Sequence, residues 1–367
     1  MMLMQSSYPN ILLIVMFSHY SKDIGNVNSS LQKTRKLFVA TGCSFTYGTA
    51  AFDLDLIDKY QPKYKNGAYW SLEHLTENQK LQLIKDFPNV QMLENGDLNF
   101  GVMEVNNSYL TRLYEKYYKD THTILNLGVS SSSIFASVMR LFTAPVQWDL
   151  ADEIILIFSP TSGNRLGILN DDYIFGNEYH TLWPWSTGIT NRYIDDMQEG
   201  FGHSFYSPKW DILNILTSVK LLTNWVTFNR AKLITFPAFN RDFTPENFKT
   251  LINTKVIRSV KDRTILEIKE NTYTTNEELF LYETFPWHSF IAPQGHSNFF
   301  DLAYSQEPDY DPKHNTVSMA HENGGSTNKW IMNCGHPDAK AHDLLADEIH
   351  KHLIATDNCS QPWNIWN

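Results

Sequence analysis

The sequence predicts an α/β protein, a three-layer α/β/α sandwich around a parallel central sheet. Three observations carry that reading. Short apolar runs alternate with amphipathic segments along the chain, as strands alternating with helices do. Several runs are apolar at nearly every position, EIILIF (153–158) most clearly, which marks strands covered on both faces. Small-residue loops rich in Gly and Ser follow those runs, where an open α/β sheet places its ligand-binding turns.

Each element follows from its own residues. KLFVAT (36–41) is a short buried strand that ends at a glycine, and GCSFTYG (42–48) is a tight turn with glycine at both ends. Residues 50–105 are irregular and polar and read as an insertion. NNSYLTRLYEKYYKD (106–120) carries Tyr109, Leu110, Leu113, Tyr114 and Tyr117 at helical spacing, with Asn107 or Ser108 as N-cap. THTILNL (121–127) is a strand, GVSSSS the loop after it, and IFASVMRLF (134–142) an apolar helix. The strand at 153–158 leads into SPTSGNR, and 211–230 forms a long helix with Ile212, Ile215, Leu216, Val219, Leu222 and Val226 on one stripe. KLITF (232–236) is a further strand closed by Pro237, and 338–354 is an amphipathic helix with Ala341, Leu345, Ile349 and Leu353 in line. The stretches 166–205 and 240–330 break this rhythm and read as insertions on the loop-bearing face. The division expected is an N-terminal extension, 1–35, followed by one domain, 36–367, with those three insertions.

Composition narrows the function. Of 367 residues, 42% are hydrophobic and 19% charged, the balance of a packed globular chain. Thirty basic residues against 40 acidic ones leave a formal charge of −10 with no Lys/Arg run, which argues against a nucleic-acid surface. No apolar run reaches the roughly 18 residues that span a bilayer. The three cysteines, Cys43, Cys334 and Cys359, cannot build a disulfide framework, so a reducing compartment is the simpler reading. The run ILLIVMF (11–17) has no preceding Lys or Arg and no clear cleavage site after it. It is a poor secretory signal, and the expected location is cytoplasmic or virion-associated.

The loops supply the residue types that acyl transfer needs. Ser44, on the glycine-bounded turn, is a candidate nucleophile, and His336 in IMNCGHPDAKAH (331–342) a candidate base. The loop backbone at Ser131 and the side chain of Asn164 are candidates to hold a developing oxyanion. A Gly-x-Ser turn or a His before Pro is more often structural, but all four segments stand in order at strand ends or a helix start. Metal binding is disfavoured: Asp338, His342, His350 and His352 lie near His336 in sequence but show no HExxH or equivalent spacing. Asp338 is better read as a first-turn helix acid favoured by the dipole. Cys43 reads as a packing cysteine, and LWPWSTG (182–188) as a rigid aromatic loop or a sugar platform. No cofactor is called for.

GCSFTYG, NLGVSSSS, SPTSGNR and CGHPDAKAH resemble, in order, the four blocks of the SGNH (GDSL-like) hydrolase family, most closely its divergent members from bacteriophage and marine bacterial genomes. The resemblance spans the sheet-forming parts, about 36–160, 211–237 and 331–354, and implies a flavodoxin-like fold. It makes Ser44 the nucleophile and its backbone N–H one oxyanion donor. Ser131 stands where the donor glycine of Asn126-Leu-Gly128-Val-Ser-Ser131 usually sits, keeping a backbone N–H. Gly128 and Arg165 are placed against the substrate, although Arg165 could equally pair with a surface carboxylate. The third block matches less well: Asn164 lies several residues past Phe158, and Thr161 or Ser162 could hold the position instead. In the fourth block the family aspartate, three residues before the histidine, is replaced by Asn333, which accepts a hydrogen bond but brings no charge. A Ser–His dyad, an acid from elsewhere such as Glu322, or a fold without its chemistry all fit that change. The relatives imply a small acyl ester or an acylated carbohydrate as substrate. The different-class alternative is a non-catalytic glycan-binding or virion structural protein.

Overall fold

The computed structural model describes residues 27–60, 74–93, 96, 98–129, 132–161, 208–239, 284, 286–307, 330 and 336–357. It also describes the short strands at 63–65, 69–71, 166–169, 179–182, 255–258 and 265–268. At its centre β1 (Lys36–Gly42), β2 (Thr123–Asn126), β3 (Glu153–Ser159) and β4 (Lys232–Thr235) form a parallel sheet in the order β4-β3-β1-β2. β1 lies between β2 and β3, with Ala40 opposite Asn126 on one side and Gly42 opposite Ser159 on the other. The helices used below are α1 (Ser44–Tyr47), α2 (Tyr109–Leu113), α3 (Ile134–Thr143), α4 (Pro208–Phe228), α5 (Phe299–Tyr304) and α6 (Ala339–Asp357).

Alternation along the strands builds the two outer layers. Leu37, Val39, Leu125, Ile154, Leu156, Phe158 and Leu233 face α3 and α4, meeting Ile134, Val138, Leu141, Ile215, Leu216, Val219, Leu222 and Val226. Phe38, Ala40, Ile155, Ile157, Ile234 and Phe236 face the other way, onto Leu110 and Leu113 of α2, Phe299 to Ala303 of α5, and Ala341, Leu345, Ile349 and Leu353 of α6. Burying each large apolar side chain contributes about 1.5–3 kcal/mol. A one-residue register slip would exchange the two faces, so both layers together hold the strands in register. The α/β/α sandwich expected from the apolar runs is therefore the architecture present.

Other segments join this frame. Residues 27–34, upstream of β1, form a helix whose Val27 and Leu31 pack with α3 and α4. Within 50–105, Phe52, Leu56, Tyr60, Leu75, Leu83, Val90, Phe100 and Met103 form a small core of their own. Part of 240–330 lines the sheet edge: Phe290 bridges Thr235 in parallel, and Phe299 and Phe300 donate backbone N–H bonds to Pro237 and Ala238. The helix expected over 106–120 divides. Ser108 caps α2 by accepting from Thr111, but Tyr114–Tyr118 continues as a π-helix. The wider turn sets two consecutive tyrosines on one histidine of α6, with Tyr117 stacked on His350 at 3.7 Å and the Tyr118 hydroxyl 3.0 Å from His350 Nδ1. No helix among the described residues is long and apolar enough to cross a membrane.

Candidate active site

The carboxyl end of β1 is the centre of the site. β1 runs out at Gly42, Cys43 stays extended as N-cap, and Ser44 opens the single-turn helix α1. Thr46 and Tyr47 return their N–H groups to the Cys43 carbonyl at 3.0 Å, and Gly48 closes the turn at φ +96°, in the left-handed region that favours glycine. Gly42 is required by contact: a Cβ there would lie 2.1 Å from Thr46 Oγ1 and 2.7 Å from the Ser159 carbonyl. Cys43 is fully buried in the core, as a packing cysteine is.

The loop after β2 is built onto this turn. Leu127 and Val129 donate to the Ala40 and Gly42 carbonyls, which carries the β1 pairing one step past the strand. Gly128 passes so close to α1 that a Cβ on it would meet Tyr47 N at 2.5 Å and Thr46 C at 2.8 Å. The side chain of Asn126 locks the approach. Its Nδ2 donates to the Thr46 carbonyl at 3.0 Å, while its Oδ1 accepts the Gly128 N–H at 2.9 Å. Ser137 adds a second tie, donating its hydroxyl to the Gly42 carbonyl at 3.1 Å. Asn126 was legible only as a motif letter; nothing in sequence showed that its amide joins two loops.

His336 comes to Ser44 from the far end of the chain. Its Nε2 lies 2.7 Å from Ser44 Oγ, and its ring packs on Phe45 with centroids 5.0 Å apart. Ser44 is buried, with 5% of its surface exposed, and His336 is half-buried. Two residues on, the Asp338 N–H donates to the Trp330 carbonyl at 3.0 Å, and Asp338 Oδ1 accepts from the Ala341 N–H at 2.9 Å. The acid expected in the first turn of the last helix thus stands just outside it, since α6 begins at Ala339. Burial outweighs the favourable cap here and pushes the Asp338 carboxyl up to about 6.

Of the residues expected at the site, Ser44 and His336 meet and Gly128 lies against the turn that carries Ser44. Ser131, Ser162, Asn164, Arg165, Glu322 and Asn333 lie outside the described residues, as do residues 183–188 of LWPWSTG. Thr161 is described: it is buried two residues beyond β3, and its Oγ1 has no hydrogen-bond partner among the described residues. Since Ser159 is opposite Gly42, Thr161 follows β3 at the same interval as Ser44 follows β1. No group of three or more His, Cys, Asp or Glu side chains able to hold a metal occurs among the described residues.

No protein-family model matches the chain, and no curated protein sequence does. Among solved structures it is similar to a G-D-S-L family protein from Desulfitobacterium hafniense DCB-2, at 11% identity over 86% of this chain and 98% of that one, with a TM-score of 0.32.

Proposed function

We propose that the chain is a serine esterase acting on a small acyl ester or an acylated carbohydrate through a covalent acyl-enzyme. The observation that carries this reading is the 2.7 Å contact between His336 Nε2 and Ser44 Oγ, within the reach a general base needs. Ser44 Oγ attacks the ester carbonyl carbon as His336 Nε2 takes its proton. The tetrahedral oxyanion is held by the Ser44 and Ser131 N–H groups and by one side-chain donor after β3. Asn164 is the residue expected there from sequence, and the Thr161 hydroxyl is a second candidate, buried and in need of a partner. As the intermediate collapses, the protonated His336 gives its proton to the leaving alkoxide, and the alcohol departs. Water, deprotonated by His336, then attacks the acyl-Ser44 carbonyl and releases the carboxylic acid and free Ser44. Asn333 or another acceptor orients His336.

A fluorophosphonate probe tests the assignment. It should label wild type at Ser44 and fail to label Ser44→Ala, and wild type should hydrolyse p-nitrophenyl acetate while the Ala variant does not. Equal labelling of both proteins removes Ser44 as nucleophile. Absence of labelling and of turnover, with the fold intact, favours a non-catalytic, glycan-binding use of the same fold.

A further inference from the structure

His342 has no part in the chemistry above, yet it is fully buried and close enough to His336 to feel its charge. Its Nδ1 accepts the backbone N–H of Tyr109 at 3.1 Å. That N–H is the first of α2, one of the four that a helix cannot satisfy within itself. Ser108, the N-cap of α2, serves the Thr111 N–H instead, so the cap of Tyr109 comes from a different helix.

We propose that His342 is a positioning residue for His336: by capping α2 through Nδ1 it fastens the start of α6, and hence His336, to the scaffold that carries Ser44. This rests on the Ser44–His336 reading above. The connections on both sides are short. At the start of α2, Ser108 Oγ lies 3.4 Å from Asn126 Nδ2, and the same amide donates to the Thr46 carbonyl of the nucleophile turn. At the start of α6, the His342 N–H donates to the Asp338 carbonyl at 3.1 Å, two residues from His336. A second route runs through rings. His342 meets Phe299 edge-on at 4.9 Å, Phe299 meets Phe45 at 6.2 Å, and Phe45 packs on His336.

The imidazole suits this task because it stays neutral. A ring nitrogen that accepts a hydrogen bond carries no proton, so the His342 proton sits on Nε2. Burial, aided by the charges of His336 and Arg112, pushes the pKa of His342 down to about 3, so the acceptor persists wherever His336 works as a base. Nε2 itself has no hydrogen-bond partner among the described residues. A leucine would fill the place without that orphan, so it is Nδ1 that gives the histidine its use here.

The test compares His342→Asn, His342→Gln and His342→Leu in the full chain. Asparagine offers an acceptor the same number of bonds from Cβ as Nδ1; glutamine places it one carbon too far, and leucine has none. Three readouts apply: kcat and KM with p-nitrophenyl acetate, the rate of fluorophosphonate labelling of Ser44, and the ¹⁵N shifts of the His336 ring. In Leu and Gln variants of matched thermal midpoint, kcat and labelling should fall about 10²-fold with KM little changed, the scale of a 1 Å misplacement. The His336 shifts should move to those of a ring without Ser44, and Asn should restore both. A folded Leu variant with wild-type labelling and shifts overturns the proposal, as does an Asn variant as impaired as Leu. If Leu fails to fold, Asn against Gln decides. If wild type shows no turnover or labelling, the esterase reading fails, while the ¹⁵N shifts still judge the positioning.

Discussion

Asp338 should make this protein more stable in acid than a carboxylate usually allows. The perturbation is Asp338→Asn, which is nearly isosteric and keeps an amide oxygen for the Ala341 N–H that Oδ1 now accepts. Asp338 is fully buried, and its pKa stands at about 6 against an ordinary value of 3.8. Each tenfold difference in proton affinity is 1.36 kcal/mol, so the ionised form costs the folded state about 3 kcal/mol. The sign follows from the raised value. Below pH 3.8 the group is protonated whether folded or not, and the cost is absent; it grows as pH rises and is complete above about 6. The variant cannot ionise, so it escapes the cost and loses only the charge–dipole attraction at the helix start, about 0.3–1 kcal/mol. Urea denaturation across about pH 4–8 should therefore show the stability difference, variant minus wild type, rising by about 3 kcal/mol with pH. A difference that stays flat, or a variant less stable at pH 8, would show that the carboxylate has a charged or donor partner and that burial does not govern it.

The remaining expectations concern the Ser44 turn and its surroundings. Gly128→Ala places a Cβ 2.5 Å from Tyr47 N, backbone that cannot yield without moving α1, so it should cost about 1–3 kcal/mol in denaturation and slow Ser44 labelling; unchanged values for both would refute the close approach. Thr161→Val and Asn164→Ala compete for the donor after β3, and whichever is used should lower kcat about 10²–10³-fold while the other leaves it within a few-fold. Asn333→Asp should raise kcat/KM, most clearly above the imidazole pKa, because an amide in the acid's place costs about 10⁴ in kcat in a serine protease triad. A brisk wild type unimproved by Asn333→Asp would assign the orientation of His336 to another group.

The legible parts of this molecule are those whose cause is local. The strands of the sheet show in sequence as short apolar runs, β3 most clearly because a strand covered on both faces is apolar at nearly every position, and α3, α4 and α6 show because one stripe of each faces the sheet. Ser44 was visible because the turn needs glycine at 42 and 48, for contact at one and for φ +96° at the other. What was hidden depends on partners far away. The stretch 50–105, read as irregular, holds three helices, Leu54–Tyr60, Glu77–Asp86 and Gly101–Asn106, but each gives the small core from Phe52 to Met103 only one or two side chains, too few for a period to read. The π-helix at Tyr114–Tyr118 differs from an α-helix by less than a residue per turn, too little to show over five positions. His342 sat beside His336 in sequence and invited a metal reading, whereas its acceptor nitrogen serves an N–H 233 positions away.

The meeting of Ser44 and His336 follows from topology rather than from either motif. A parallel sheet brings every strand's carboxyl end to one edge, so turns far apart in sequence open onto one another. That brings the loops into proximity, but a hydrogen bond of 2.7 Å across 292 residues needs rigid mounts on both sides. On the serine side the mount is Asn126, whose amide holds Thr46 and Gly128 together; on the histidine side it is the start of α6, tied down through Asp338 and Trp330. Neither mount carries a reacting atom. They decide whether the pair is assembled in advance, and the proposed roles of nucleophile and base require that pre-assembly.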